Sequence, residues 1–452
     1  VKAATLTLNV FPDLARLHAA NPARYPHLLE SAVQGTPRAR YDILFAFPGA
    51  TLALTRHGLT RDGSSEAGEF LTRLENDWRR EALPAGEPRE DGLPFTGGWF
   101  VFLGYELVAE IEPTLGLTEF DDSLPVAFAM RIPAAVIRDH ATRRTHLVAE
   151  PGHEPLLETM RRDLADCPAL AVGEIAIERV AEEPPQQFLE GVARVLDYIR
   201  AGDVFQVNLS RGWRAELRHV PPAVSLYARL RAANPAPFAG LATLPGGRAV
   251  VSSSPERLVS VRGRQVYTRP IAGTYPRGGD ANSDARLAQE LLKHPKERAE
   301  HVMLIDLERN DLGRVCRPGS VAVPEFMTVE TYRHVHHIVS EVRGELRGDI
   351  APSDVIRAVF PGGTITGCPK VRCMQIIREL ERAPRGAYTG SMGYINRDGS
   401  MDLNILIRTL VQDGRSVNLR AGAGIVADSQ PERELNETRA KARGLLVALG
   451  AA

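Results

Sequence analysis

Cysteine is scarce: four residues in 452, at positions 167, 316, 368 and 373, too scattered for a disulfide framework. Cys368 and Cys373 lie close in sequence but lack the second Cys or His pair that a zinc site needs, so all four are expected as reduced, mostly buried thiols. No base for a nucleophilic Cys368 is identifiable. Long apolar runs are also missing: nothing approaches the roughly 20 residues that span a bilayer. The opening Val1-Lys2-Ala3-Ala4 has no signal-peptide core, and the expected compartment is the cytoplasm. Charge of one sign is not in excess. With 55 basic and 56 acidic side chains and no long basic tract, a nucleic-acid partner is not expected. A hydrophobic share of 44% and a charged share of 25% are those of an ordinary folded protein.

What is present is patterned for mixed structure. Residues 5–10, 41–47, 127–138 and 144–148 concentrate β-branched and aromatic side chains between Pro, Gly and Asp, and are expected as strands. The polar run Ala181-Glu182-Glu183-Pro184-Pro185-Gln186-Gln187 marks an expected connector between a β-rich region, 1–180, and a second region, 188–450. Phe188, Val192, Val195, Leu196 and Ile199 then recur at helical spacing, with Gly202 placed to end that helix in a left-handed turn. Residues 203–209 alternate, so Phe205, Val207 and Leu209 face one side and Gln206 and Asn208 the other. Hairpin-like strands mixed with long helices, without regular alternation, predict an α+β fold of mainly antiparallel sheets flanked by helices.

Three segments could carry chemistry. Asp428-Ser429-Gln430-Pro431 is expected to cap a helix running to about Leu449, with Leu435, Ala442, Leu446 and Leu449 on its apolar stripe and Glu434, Glu437 and Lys441 on another. By itself that second stripe reads as a solvated face with one ion pair. A helix starting near Pro295, however, aligns Glu300 with the apolar Met303, Leu304 and Leu307. A carboxylate there needs either an arginine or a hard cation such as Mg²⁺, for which Glu300 and Glu437 are suited. The run Pro361-Gly362-Gly363-Thr364-Ile365-Thr366-Gly367-Cys368-Pro369-Lys370 opens a further helix and offers N–H groups to an anion. It is not a nucleotide P-loop, because Cys368-Pro369 stands where Lys-Ser/Thr is required. Ala421-Gly422-Ala423-Gly424-Ile425 is either a second donor-rich turn or a hairpin, and Arg408 either a salt-bridged core residue or an anion fork.

Together and in order, these segments resemble the chorismate-utilising enzymes. The resemblance is strong over 188–449, through Ser253-Ser254-Pro255-Glu256-Arg257, Arg269-Pro270-Ile271-Ala272-Gly273-Thr274, 306–314, Val335-His336-His337-Ile338, 360–372 and 424–429. It is looser at Leu28-Leu29-Glu30-Ser31 and Gly97-Gly98-Trp99-Phe100-Val101-Phe102-Leu103-Gly104-Tyr105-Glu106. The first of these two motifs helps to bind tryptophan in feedback-inhibited members; scaffold is its other reading here. The resemblance implies a large two-lobed α/β sandwich and a Mg²⁺-dependent enzyme acting on chorismate.

It also implies roles. Glu300 and Glu437, with Glu434 beside them, would hold Mg²⁺ against the ring carboxylate. Arg408 and Tyr388 would grip the enolpyruvyl carboxylate, and Thr364, Gly424 and Lys441 would surround the ring carboxylate. Glu256 would protonate the leaving C4 hydroxyl, with His337 near the same group. Gln206 stands where water-using relatives carry a lysine base; an amide cannot deprotonate water, whereas ammonia is already a nucleophile, so Gln206 argues for amination. No segment resembles a glutaminase, which implies ammonia from a separate amidotransferase subunit.

Two aminations compete. Asn208, the His336-His337 pair, Thr364-Ile365-Thr366-Gly367 and Ser391-Met392-Gly393-Tyr394 resemble the branch that makes 4-amino-4-deoxychorismate for a downstream lyase, on the way to 4-aminobenzoate and folate. Ala272 argues for the branch that makes anthranilate, because well-studied members of the first branch carry there a lysine that adds covalently to C2. The first product is the leading expectation, anthranilate the second and a catalytically inactive regulatory subunit the third.

Overall fold

The run 127–138, expected as one strand, is two: Ala127–Ile132 and Ala134–Asp139, divided at Pro133. Proline has no N–H for a ladder, and here the chain leaves one sheet and enters another. The computed structural model describes residues 3–32, 40–84, 92–117, 124–331 and 335–451, so Val1 and Lys2 lie outside it. Among the described residues two twelve-stranded sheets form, antiparallel throughout. Both combine strands from either side of 181–187. His27–Glu30 pairs with Phe238–Leu244 in one sheet, and Gly98–Leu103 with Ser391–Asn396 in the other.

Alternation along these strands gives each sheet two apolar faces, and the layers follow from what covers them. Between the sheets lies an aromatic cluster of Phe45, Phe95, Phe100, Phe102 and Phe128. The outer face of the first sheet packs on helices that supply Leu14, Met160, Leu226, Leu230 and Leu445. Phe70, Leu74, Ile305, Leu312 and Val355 cover the second. Each buried phenylalanine contributes about 1.5–3 kcal/mol relative to exposure. The result is the expected mixed fold of antiparallel sheets with flanking helices. Among the described residues no helix is long and apolar enough to cross a membrane.

The elements around the candidate site follow the sequence pattern with local exceptions. The helix Pro185–Arg200 buries Phe188, Val192, Val195 and Leu196, and Gly202 follows it at φ +81°. Phe205 does not share a face with Val207 and Leu209: it precedes the strand Gln206–Leu217 and is 68% exposed. Only its N–H is engaged, donating to the Cys368 carbonyl at 2.8 Å. The last helix is Pro431–Leu449, but Asp428 does not cap it. Asp428 pairs with Lys296 at 3.2 Å instead, because the chain turns at Ser429, whose Oγ accepts the Val426 N–H at 3.1 Å. All four cysteines are free thiols; three are buried and Cys368 is half-buried.

Candidate functional site

The floor of the site is the strand Gln206–Leu217, flanked by Ser416–Ile425 and by the two-residue strand Gly367–Cys368. The 421–425 glycine run lies inside Ser416–Ile425, neither turn nor hairpin, and its glycines make room for side chains. A Cβ on Gly424 would sit 2.6 Å from Gln206 Nε2, and one on Gly422 2.5 Å from the Tyr388 hydroxyl. Gln206 is 7% exposed, and its Oε1 is buried with no hydrogen-bond partner. Such an acceptor is costly unless a ligand satisfies it. Asn208 donates from Nδ2 to the Ile365 carbonyl at 3.0 Å and to the Tyr388 hydroxyl at 3.5 Å.

Above this floor, Glu256 is 6% exposed and accepts a hydrogen bond from Thr364 Oγ1 at 2.8 Å. Burial pushes its carboxyl up to about 7, against the Thr364 hydrogen bond and the positive charges of Lys441 and Arg408. It is therefore an acid that keeps its proton up to neutrality. Arg408 adopts a left-handed backbone, φ +52°, unusual for a side chain of this size. Burial pulls its guanidinium below the usual arginine value, with Glu256 opposing. Among the described residues Arg408 has no ion-pair partner, the condition of a cation awaiting an anionic ligand. Burial also pushes His337 down to about 4, and the charge of Arg408 adds to this, so its imidazole is neutral. His337 Nδ1 lies 3.4 Å from the Gly273 carbonyl, which assigns the proton to Nδ1 and leaves Nε2 as an acceptor. Ala272, next to that carbonyl, faces Ile338 across the strand pair.

At the rim, Glu300 on the helix Pro295–Gly313 feels the charge of Glu437 on Pro431–Leu449, the helix that also carries Glu434. Burial raises Glu300 to about 7; the charges of Glu297, Asp428 and Glu437 raise it further, while Lys296 opposes them. Glu434 is raised by burial and by Glu437. Lys296 lies 3.9 Å from Glu300, and Lys441 bridges Glu437 at 2.7 Å and the Gly422 carbonyl at 3.0 Å. Among the described residues no three such ligands converge into a metal-binding cluster. Glu437 crowds both Glu300 and Glu434, and carboxylate oxygens are the hard donors that Mg²⁺ takes. Geometry thus joins a buried neutral acid, an unpaired guanidinium, a neutral imidazole and an acidic rim.

The family described as "chorismate binding enzyme" matches residues 34–447. The chain belongs to the chorismate-binding enzyme family. Anthranilate synthase component 1 of Thermus thermophilus is 43% identical over 447 residues, covering 97% of this chain and 95% of the relative. Aminodeoxychorismate synthase component 1 of Bacillus subtilis is 42% identical over 366 residues, covering 78% and 77%. The crystal structure of anthranilate synthase component I from Streptococcus pneumoniae superposes with a TM-score of 0.80 at 31% identity, over 91% of this chain and 93% of that one.

Within this chorismate-binding fold, the sequence motifs do not point to the props of the site. Arg385, fully buried, donates to the Asn208 carbonyl at 2.7 Å and to Glu381 at 2.6 Å. Glu106 accepts the N–H groups of Arg385 and Gly386 at 2.7 and 3.0 Å and so holds the loop that presents Tyr388. Glu106 is the last residue of the Gly97–Glu106 motif, whose resemblance implies no role for it. Lys370, at the helix start expected to bind an anion, instead reaches Asp311 at 2.5 Å. A separate cavity between the sheets is lined by Leu29, Glu30, Ser31, Phe238, Met392 and Asn404, and by none of the twelve site residues.

Proposed function

We propose that this chain aminates chorismate with ammonia and releases 4-amino-4-deoxychorismate. The observation that carries amination is the Gln206 carboxamide, buried on the floor with an unsatisfied oxygen where a water-activating base would otherwise stand, while Asn208, His336-His337 and Ser391-Met392-Gly393-Tyr394 support the C4 product. The orphaned amide oxygen can accept an N–H of ammonia and orient it with its lone pair free, but an amide cannot deprotonate water. Arg408 and Tyr388 bind the enolpyruvyl carboxylate, while Thr364, Gly424 and Lys441 surround the ring carboxylate. Glu300, Glu434 and Glu437 would hold Mg²⁺, whose charge neutralises that carboxylate when bound.

Glu256 donates its proton to the C4 hydroxyl, which leaves as water as ammonia bonds to C2 and both ring double bonds shift. Ala272 supplies no amine, so a second ammonia bonds to C4, both double bonds return and the C2 group leaves as ammonia. One ammonia is consumed and one water released. The C2 ammonium keeps its proton and so leaves as ammonia, and neutral His337 accepts through Nε2 the proton of the ammonium formed at C4. Ammonia comes from a separate glutaminase subunit, and a lyase consumes the product.

Anthranilate is the second reading, favoured by Ala272 and by the anthranilate synthases among the relatives. It arises when the C2 amine stays and pyruvate is eliminated. The purified chain, supplied with chorismate, Mg²⁺ and ammonium, is expected to yield no anthranilate fluorescence and to give 4-aminobenzoate only after a lyase is added. Anthranilate as sole product would overturn the C4 assignment, and absence of turnover would favour an inactive regulatory subunit.

A further inference from the structure

One carboxylate, outside the residues assigned above, ties together the two strands that carry Gly273 and His337. Asp284 lies in the first turn of the helix Ala281–Lys293. That helix is already capped: Asp280 accepts the N–H groups of Asn282 and Ser283, and Ser283 Oγ reaches back to the Asp280 N–H. Asp284 directs its hydrogen bonds elsewhere. Its Oδ1 accepts Arg277 Nε at 2.7 Å, the Gly278 N–H at 2.8 Å and His336 Nε2 at 2.8 Å, and its Oδ2 accepts Arg277 Nη2 at 2.7 Å. These donors, Arg277 foremost, hold Asp284 well below the usual carboxylate range, so it is a permanent anion.

His336 is 2% exposed and pinned from both sides, because its Nδ1 lies 2.9 Å from Thr331 Oγ1 on the neighbouring strand. Successive residues of a strand point to opposite faces, so fixing the His336 ring fixes the rotation at which His337 is presented. The other partner is held by the same carboxylate. The strand Ile271–Pro276 shifts register between Ala272 and Thr274, with Gly273 in the left-handed region at φ +65°. That bulge turns the Gly273 carbonyl to accept His337 Nδ1–H. The exit of the bulged strand is Arg277-Gly278, bonded to Asp284. Both sides of the His337–Gly273 contact therefore lead to one anion.

We propose that Asp284 is a positioning residue, which acts through His336 and through Arg277-Gly278 to hold His337 with Nε2 toward the reacting ring. This rests on the reading above that His337 serves the reaction. The test is a double-mutant cycle on the full chain, measuring chorismate turnover at saturating Mg²⁺ and ammonium. Asp284→Ala is expected to lower kcat roughly tenfold or more while KM for chorismate stays within about twofold. In a His337→Ala background the same substitution is expected to change kcat by less than about twofold. Asp284→Asn keeps one oxygen for His336 and Gly278, is expected to recover much of the loss, and carries the cycle if the alanine variant does not fold. An undiminished loss in the His337→Ala background, or an effect on KM alone, overturns the proposal while leaving His337 in place. Full turnover by His337→Ala overturns the reading of His337 and this proposal with it.

Discussion

At the scale of the residue, the chemistry depends on burial more than on residue type. Glu256 belongs to a motif visible in sequence, but what makes it an acid at neutrality is desolvation, opposed by Thr364, Lys441 and Arg408. A carboxyl raised from its ordinary value to about 7 binds its proton more tightly folded than unfolded. Its stabilising contribution is complete below the unfolded value and is lost as pH rises through about 7. Glu256→Gln keeps the shape and the acceptor for Thr364 but cannot ionise. It is therefore expected to abolish turnover and, at pH 8, to raise stability against urea by on the order of 2–3 kcal/mol, with little change at pH 5. Equal stability at both pH values would show that Glu256 is not buried as an acid. Gln206 was legible as an amide facing the same way as Asn208; its orphaned oxygen was not, because satisfaction depends on strands more than 150 residues away in sequence.

At the scale of the element, periodicity served well where one face meets one core. The helices 185–200, 295–313 and 431–449 stand where apolar spacing placed them, although the last is not capped by Asp428. Periodicity failed at the ends of strands, as with Phe205, and at Pro133, where the face of a strand depends on which sheet receives it. It also could not say that acids distant in sequence would crowd Glu300. Glu300 draws its raised proton affinity first from burial, then from Glu297 on its own helix and from Asp428 and Glu437, which are distant in sequence, with Lys296 opposing. A proton competes with a cation at such a site, so Mg²⁺ is expected to bind more tightly as pH rises through about 7 and to level off above it. Glu300→Gln is expected to raise the Mg²⁺ concentration for half-maximal turnover by about tenfold or more, to flatten that pH dependence and to leave the far-ultraviolet circular dichroism unchanged. Unaltered turnover at limiting Mg²⁺ would remove Glu300 from the metal site.

At the scale of the whole molecule, the α+β class was legible from hairpins mixed with helices, but the interleaving of the chain was not, because local patterning carries no information on which distant strands pair. Polar composition at 181–187 marks a connector in sequence, yet Ile177–Glu182 pairs with Gln206–Leu217 across it. Cutting there would strip His27–Glu30 from Phe238–Leu244 and Gly98–Leu103 from Ser391–Asn396, leaving unpaired ladder edges in the middle of both sheets. It would also remove Phe45, Phe95, Phe100, Phe102 and Phe128, each contributing about 1.5–3 kcal/mol, from the layer between the sheets. Glu106 would be lost as well, and with it the prop beneath Tyr388. A fragment of residues 188–452 is therefore expected to aggregate on size-exclusion chromatography and to show no cooperative thermal transition, whereas the full chain unfolds in one. A soluble fragment that melts cooperatively and turns over chorismate would mean that the second region folds and acts without the strands it shares.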